Sequence, residues 1–496
     1  MHSIIKHLYI TIFLMFCISA TNAQEQLGLV TGNYAGVNGL TLNPASALTS
    51  KLFIDVNLIS ANGFTQNNFL YMLKDNYKLS AFFEEGYELP MHPVEGITGE
   101  RPFYLTRNNK PKDFQAYAEV MGPSFMVSGN RFSYAVYTSR KALVNARNIP
   151  IDMANFSYFG LGYDKQRLKR YTHDETYKVS GLDYSEIGMS FSYTFKGHSK
   201  EMLSAGASVK YLRGRTGLYY EGNHIDYMVP DSETIHIYNF TGSLSFAAPM
   251  NYSSIEWGNE FSRGQGVAYD LGITYQKNHS WPSPVDYGKE CYQKYEPYKY
   301  RIGLSLIDAG KIWFRHNART YSYENVSAVF HHVDSLKNLI GSPQDLMDQV
   351  NQHFREGGAR DEYETSFFIN TPAALSLQFD YHLNKNWYLN STIVQSVPVG
   401  PRMVHRPSVL AVTPRYESRT LELAMPVSLY DYALPRVGVS VRFYNITIGT
   451  DKIPGLFNYS HFSGLDLYVG LKINLKKGFC RETWANNGCE IPKDLL

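Results

Sequence analysis

Residues 465–475, LDLYVGLKINL, alternate without a break. Leu465, Leu467, Val469, Leu471, Ile473 and Leu475 fall on one face of an extended chain, and Asp466, Tyr468, Gly470, Lys472 and Asn474 on the other. A strict period of two marks a strand with one apolar face. Its length is that of a tilted strand crossing a bilayer, about 9–11 residues.

The same pattern recurs upstream. In 266–276, GVAYDLGITYQ, the row Val267, Tyr269, Leu271, Ile273 and Tyr275 opposes Ala268, Asp270, Gly272, Thr274 and Gln276. In 374–383, ALSLQFDYHL, the row Leu375, Leu377, Phe379, Tyr381 and Leu383 opposes Ser376, Gln378, Asp380 and His382. EIGMSFSYTF (186–195) and TLELAMPVSL (420–429) repeat it, the second setting Glu422 opposite its apolar row. No Pro/Gly-rich linker and no repeat of fixed length interrupts the series, which reads as one domain.

Alternation alone does not say which face points outward, since a soluble lipocalin-like barrel turns its apolar rows inward. Two features favour a membrane. The polar rows are mostly Gly, Ser, Thr and Asn with single charges, whereas a soluble sandwich has a more heavily charged outer face. The chain is also 15% aromatic with 39 Tyr, yet its mean hydropathy is negative, as suits aromatic girdles at two membrane interfaces. The expectation is an all-β fold: an antiparallel transmembrane β-barrel of about 14–16 strands. Asp270, Gln378, Asp380, His382, Glu422, Asp466 and Lys472 are then the polar residues facing the lumen. With 47 basic against 45 acidic residues, the charge balance gives no reason to expect a nucleic-acid partner.

The ends agree with export. In residues 1–23, Lys6 and His7 precede the apolar core LYITIFLMFCISA and the small-residue cut site TNA, the plan of a cleaved signal peptide. Phe16 stands before Cys17 where lipoprotein processing needs a small residue, so lipidation is not expected. After Ala23 no run reaches 18 apolar residues, the span of a membrane helix. The expected location is the cell outer membrane. The remaining cysteines are Cys291, Cys480 and Cys489. In an exported tail, 477–496, a Cys480–Cys489 disulfide around Trp484 is expected, leaving Cys291 unpaired; three free thiols are the alternative. The bridge should stabilise its local loop by about 2–3 kcal/mol, and two alkylatable thiols in unreduced exported protein would rule it out.

Short segments read as turns at GNR near 130, DAG at 308–310, LNKN at 383–386 and ES at 417–418. The long segments near 61–113, 143–184, 277–298 and 332–365 then read as outer loops. One of these holds a helix, SPQDLMDQVNQHFRE, with Ser342 as cap, Pro343 first, and Leu346, Val350 and Phe354 on one face. It packs on its own loop, or serves as a lid or docking surface.

Residues 37–48, VNGLTLNPASAL, contain a tight Asn-Pro turn. By local chemistry alone, Asn43 caps a short helix that begins at Pro44. In context, NYAGVNGLTLNPAS followed by a strand resembles the amino-terminal hatch of the long-chain fatty acid transporter (FadL-like) barrels. VAYDLGITY, YRIGLSLIDAGKI and ITIGTDKIPGLF…SGLDLYVGLKI resemble an uncharacterised Gram-negative outer-membrane family of the same type. The resemblance implies that Asn43, Pro44 and Ala45 belong to a hatch, residues 24–50, that plugs a barrel of residues 51–476. It further implies passive uptake of a small hydrophobic molecule, with outer-membrane lipid around the barrel. FadL-like barrels also serve as accessory subunits of secretion or assembly complexes, so the alternative is a non-transporting subunit with envelope-protein partners.

No GxSxG, HExxH, P-loop or acidic calcium loop occurs. Adjacent His331 and His332 point to opposite faces of a strand. Asp380 and His382 have the spacing of a hydrolase dyad but no nucleophile to place beside them. Neither an enzyme, a cofactor nor a metal is expected.

Overall fold

The structure is a computed structural model that describes residues 25–77, 87–93, 99–129, 131–198, 201–252, 262–278, 298–331, 333, 343–356, 363–453 and 461–475. The signal segment, Cys291, Cys480, Cys489 and the 477–496 tail lie outside the described residues.

Fourteen antiparallel strands close into a barrel. They are β1 Ile54–Asn67, β2 Lys112–Met121 with Ser124–Ser128, β3 Phe132–Ile149, β4 Arg170–His173 with Tyr177–His198, and β5 Glu201–Met228. There follow β6 Ile235–Ala247 with Gly264–Asn278, β7 Tyr298–Phe314 with Ala318–Phe330, and β8 Phe367–Asn370 with Ala374–Asn384. The wall is completed by β9 Trp387–Ser396, β10 Val409–Glu417, β11 Leu421–Ala424 with Val427–Tyr430, β12 Leu434–Val437 with Val439–Phe443, β13 Ile446–Thr450 and β14 Asp466–Leu475. Closure is by β1 on β14, in register from Ile54↔Leu475 to Phe64↔Asp466. A closed sheet leaves no edge unpaired, which is the condition for strands to cross a bilayer.

Alternation decides the faces. Along β14, Val469 and Ile473 are exposed on the outside while Tyr468 and Lys472 are buried inside. Leu375, Leu377 and Phe379 on β8 likewise face outward, and Ser376 and Asp380 inward. The outside is therefore an apolar belt and the inside polar, the construction of a transmembrane barrel. An arginine at Leu471, on the outer face, should cost about 2–4 kcal/mol of insertion near the midplane, read as a lower folding midpoint in bilayers. Gly470 faces inward, where an arginine was expected to be tolerated if the lumen had room. It has none: a Cβ there would lie 3.5 Å from Leu29 Cδ1 and 3.2 Å from Ser60 Oγ.

Two connections differ from the sequence reading. DAG at 308–310 is not a turn but lies within β7. Asp308 takes a left-handed φ of 54°, and the pairing with β6 slips between Tyr269 and Leu271. This is a β-bulge, which bends a strand without reversing it. Segment 277–298 joins β6 to β7 at the same end of the barrel as the short turns 198–201, 384–387 and 443–446. It is therefore not an outer loop, because strand direction sets the side and loop length only correlates with it.

At the other end β5, β6 and β7 run on beyond the closed wall. The upper part of β6 pairs with β5 from Gly217↔Ala247 and with β7 from Ala247↔Ala318. On this extension α1, Ile151–Phe159, and α2, Pro343–Glu356, pack over an aromatic cluster that includes Phe156, Tyr227, Phe240, Tyr323, Phe330 and Phe354. Phe354 of α2 stacks on Phe240 at 5.7 Å and tilts against Tyr323 at 4.8 Å, and Val350 packs beside it. Of the expected helix face, only the Leu346 side chain lies outside the described residues. Phe354→Ala should cost about 3–5 kcal/mol of packing and free α2 to limited proteolysis while the barrel stays folded.

Candidate functional site: the barrel interior

The interior is occupied by the chain itself. Residues 25–53 form one helical turn, Leu27–Val30, and two 3-10 turns, Gly36–Thr41 and Pro44–Thr49. Nearly all of them are buried. Short turns suit this stretch, since small residues and one proline cannot sustain a long helix.

The Asn-Pro turn has a specific seat. Asn43 is extended, and its Oδ1 accepts from the Ala45 amide at 2.9 Å, the cap its local chemistry suggests. Its Nδ2 donates to the Ile273 carbonyl at 3.2 Å and to Gln378 Oε1 at 3.0 Å. Wall serines hold the neighbouring carbonyls: Ser305 Oγ donates to Leu42 at 2.6 Å, Ser192 Oγ to Pro44 at 2.8 Å and Ser128 Oγ to Ala47 at 2.7 Å. Every buried carbonyl needs such a partner. Three wall glycines make the approach possible. A Cβ on Gly206 of β5 would lie 2.6 Å from Ala45 N, one on Gly272 of β6 3.0 Å from Pro44 Cδ, and one on Gly303 of β7 2.8 Å from Asn43 Nδ2. Gly206 and Gly272 are register partners. Asn43→Ala removes the cap and should weaken seating by about 1 kcal/mol, read as faster proteolysis of the N-terminal segment with the barrel intact.

Around the seat lies a web of buried charge. Glu417 accepts from Lys51 Nζ at 2.8 Å, from the Asn33 amide at 3.2 Å and from Asn33 Nδ2 at 3.2 Å. Arg415 Nε meets Glu417 at 3.1 Å, and its Nη2 meets Asp380 at 3.1 Å. Arg301 joins Asp380 at 3.0 Å and donates to the Asn33 side chain at 2.9 Å and the Thr49 carbonyl at 3.2 Å. Arg442 pairs with Glu422 at 3.0 Å. Burial pushes the Tyr34 phenol in this segment up to about 12, with Lys51 pulling the other way. Tyr34 therefore remains neutral beside the carboxylates.

A second web fixes the start of the segment. Arg406 bridges Glu25 and Asp308, each at 3.0 Å. Asp308 and Asp270 share Lys210 at 2.6 and 2.7 Å. The Asp308 bulge therefore aims its carboxylate into the interior, and its amide donates to Asp270 at 2.7 Å. Farther round, the Leu27 amide donates to Asp451 at 3.2 Å and the Gly28 amide to the Tyr468 hydroxyl at 3.1 Å. The Asp451 amide in turn donates to Asp466 at 2.9 Å. Lys472 donates to the Tyr34 carbonyl at 3.4 Å and also reaches that of Ala35.

Asp270, Asp380, His382, Glu422, Asp466 and Lys472 are thus buried on the interior face, and Gln378 is partly buried there. Asp380 and His382 do not form a dyad. Asp380 is held by Tyr298, Arg301 and Arg415, while His382 faces the carbonyls of Tyr298 and Lys385. Sequence reasoning missed Asn33, Lys51, Arg301, Arg406, Arg415, Glu417 and the three glycines. What space remains beside the seat is a cavity of about 50 Å³ among Asn43, Arg301, Gln378 and Asp380, room for very little more than water. Among the described residues no cluster of His, Cys, Asp and Glu could hold a metal ion.

The sequence pattern of one family, described as "Family of unknown function (DUF5723)", matches residues 44–451. No curated protein matches the chain. Solved structures similar to it include the Ralstonia pickettii toluene transporter TbuX, at 10% identity and a TM-score of 0.37, covering 93% of this chain and 100% of that one. A Pseudomonas aeruginosa FadL homologue is 10% identical with a TM-score of 0.36, covering 91% and 97%. The translocator domain of the autotransporter NalP from Neisseria meningitidis is 8% identical with a TM-score of 0.29, covering 91% and 100%.

Proposed function

This chain belongs to that family of unknown function, and we propose that it is an outer-membrane barrel closed by its own N-terminal hatch, admitting a small molecule passively when the hatch shifts. One observation carries the reading. Residues 25–52 fill the interior but form no strand of the wall, and the first backbone bond to a wall strand is that of the Phe53 carbonyl to the Ser128 amide, so the stretch before it can move without breaking a ladder hydrogen bond. In this reading residues 1–23 direct export, residues 24–50 are the hatch with Asn43, Pro44 and Ala45 as its seated turn, and the inward polar residues line the path once it opens. The solute is a small hydrophobic molecule, arriving at the end of the barrel where β5, β6 and β7 run on beyond the closed wall.

The test is flux of a panel of small hydrophobic solutes into vesicles carrying the purified protein. Entry that rises when the hatch is loosened supports uptake. A second reading, a non-transporting accessory or scaffold subunit, draws support from the charged interior, which offers a hydrophobic solute no apolar path in the closed state. Absence of flux from a loosened hatch, together with stable envelope partners in mild detergent, would favour it.

A further inference from the structure

The connection 397–408, between β9 and β10, folds back into the barrel mouth. β9 leaves the short turn 384–387 and β10 follows at Val409, so this connection lies at the opposite, outer end. Arg402 turns it with a left-handed φ of 54°. Three backbone bonds tie it to residues 370–373, at the break in β8. The Asn370 amide donates to the Arg402 carbonyl at 2.9 Å, the Val404 amide to the Asn370 carbonyl at 3.4 Å, and the Val397 amide to the Ala373 carbonyl at 3.0 Å. Asn370 Nδ2 also donates to the Pro401 carbonyl. Beyond this tether two side chains reach the N-terminal segment. Val404 is fully buried in an apolar cluster that Leu27 shares with Phe64, Leu212, Ile312 and Ile369 of the wall. Arg406, also buried, engages all three of its guanidinium nitrogens. Nε and Nη2 donate to the two Glu25 oxygens at 3.0 and 3.1 Å, and Nη1 donates to Asp308 at 3.0 Å and to the Pro372 carbonyl at 3.3 Å.

The place of Glu25 in the chain gives this pair its consequence. Residue 53 leads directly into β1, so one end of the hatch is covalently fixed to the wall. Glu25 stands at the other end, which is free once residues 1–23 are removed. A segment anchored at one end is an arm that can swing out. Anchored at both, it is a closed loop with far fewer conformations open to it. The second anchor here is a guanidinium fork on a buried carboxylate, among the stronger side-chain pairings, and an outer connection carries it. We propose that residues 397–408 are a strap that latches the free end of the hatch through Arg406 and Glu25, so that release of the plug begins at the outer end when the strap lifts. The inference rests on the reading of residues 25–53 as a movable hatch, and adds what controls its movement. Arg406 keeps Asp308 when Glu25 departs, so the latch opens without leaving the guanidinium unpaired, the costly outcome for a buried charge.

The test is the rate at which a bulky maleimide labels Ser46→Cys in the bilayer-inserted chain with its other cysteines replaced by serine. That rate reads the fraction of time the hatch is out of its seat. Glu25→Gln keeps the size of the side chain, leaves Arg406 on Asp308, and should speed labelling about ten- to hundredfold. Asn370→Ala removes the side-chain bond to Pro401 and no bond to the hatch, and by loosening the strap should speed labelling several-fold. Both changes act on one latch, so the double variant should label no faster than Glu25→Gln alone. Each variant is checked for the heat-modifiable mobility of a folded barrel. Glu25 lies outside the wall strands, so Glu25→Gln remains readable should Asn370→Ala not fold. Unchanged labelling in Glu25→Gln, or effects of the two changes that simply multiply, overturns the latch. Prompt labelling of the parent Ser46→Cys protein defeats the hatch reading and the latch with it, whereas a protected parent that Glu25→Gln leaves protected defeats the latch alone.

Discussion

Glu417→Ala is expected to turn an electrically silent barrel into an open one without unfolding its wall. Glu417 is fully buried and is the acceptor on which Lys51, the Asn33 amide and side chain, and Arg415 converge. Two of those partners belong to the N-terminal segment and one to the wall. Removing the carboxylate takes from buried Lys51 the counter-charge it pairs with and from Arg415 one of two close ones, a cost of about 3–5 kcal/mol. The folded wall can avoid most of that cost by releasing Lys51 and Asn33 to water. At a factor of ten for each 1.4 kcal/mol, the fraction of time spent unplugged should rise by roughly two to three orders of magnitude. Single-channel recording checks this. Glu417→Gln, which keeps the acceptor and loses only the charge, should give an intermediate conductance. A silent Glu417→Ala channel in a demonstrably folded barrel would show that this web does not hold the plug.

The second large effect is expected at Gly272, by the opposite route. A side chain there enters the space of Asn43 and Pro44, since even a Cβ would lie 3.0 Å from Pro44 Cδ and closer still to Asn43 Oδ1. Gly272→Val adds two methyl groups beyond that atom. Overpacking costs about 1–3 kcal/mol, and displacing Asn43 also breaks its bonds to Ile273 and Gln378. The strand itself should not suffer, because valine suits a pleated sheet better than glycine does. The variant should therefore pair an unchanged or raised folding midpoint with an open pore and a protease-sensitive N-terminal segment. A lowered midpoint with the segment still protected would place the damage in the wall instead.

The wall was legible in the sequence because each strand writes its two environments residue by residue. Leu375, Leu377 and Phe379 need lipid and Ser376 and Asp380 need the interior, so alternation alone orients β8. The Asp308 bulge was not legible as such: Asp-Ala-Gly is good turn chemistry, and only the pairing partner tells a bulge from a reversal. The interior webs were invisible for a different reason. Asn33 and Glu417 are 384 residues apart, and nothing local to either specifies the other. The seat on Gly206, Gly272 and Gly303 left a trace, since glycine weakens a strand and so marks a bulge or a close approach. Three of them in consecutive strands were the available signal. It acquires meaning only when register places Gly206 beside Gly272.

The central claim is that residues 25–53 occupy the barrel interior in the membrane. Its most direct test is maleimide labelling of Ser46→Cys, a near-isosteric change beside the seated turn, in bilayer-reconstituted protein whose native cysteines are replaced by serine. Lys169→Cys, on the exposed connection before β4, serves as the accessible control. The structure predicts that a bulky maleimide labels the control promptly and leaves Ser46→Cys unmodified until the barrel is denatured. Prompt labelling of both positions in folded protein would contradict it, and would return the Asn-Pro turn to an ordinary helix start on a segment lying outside the barrel.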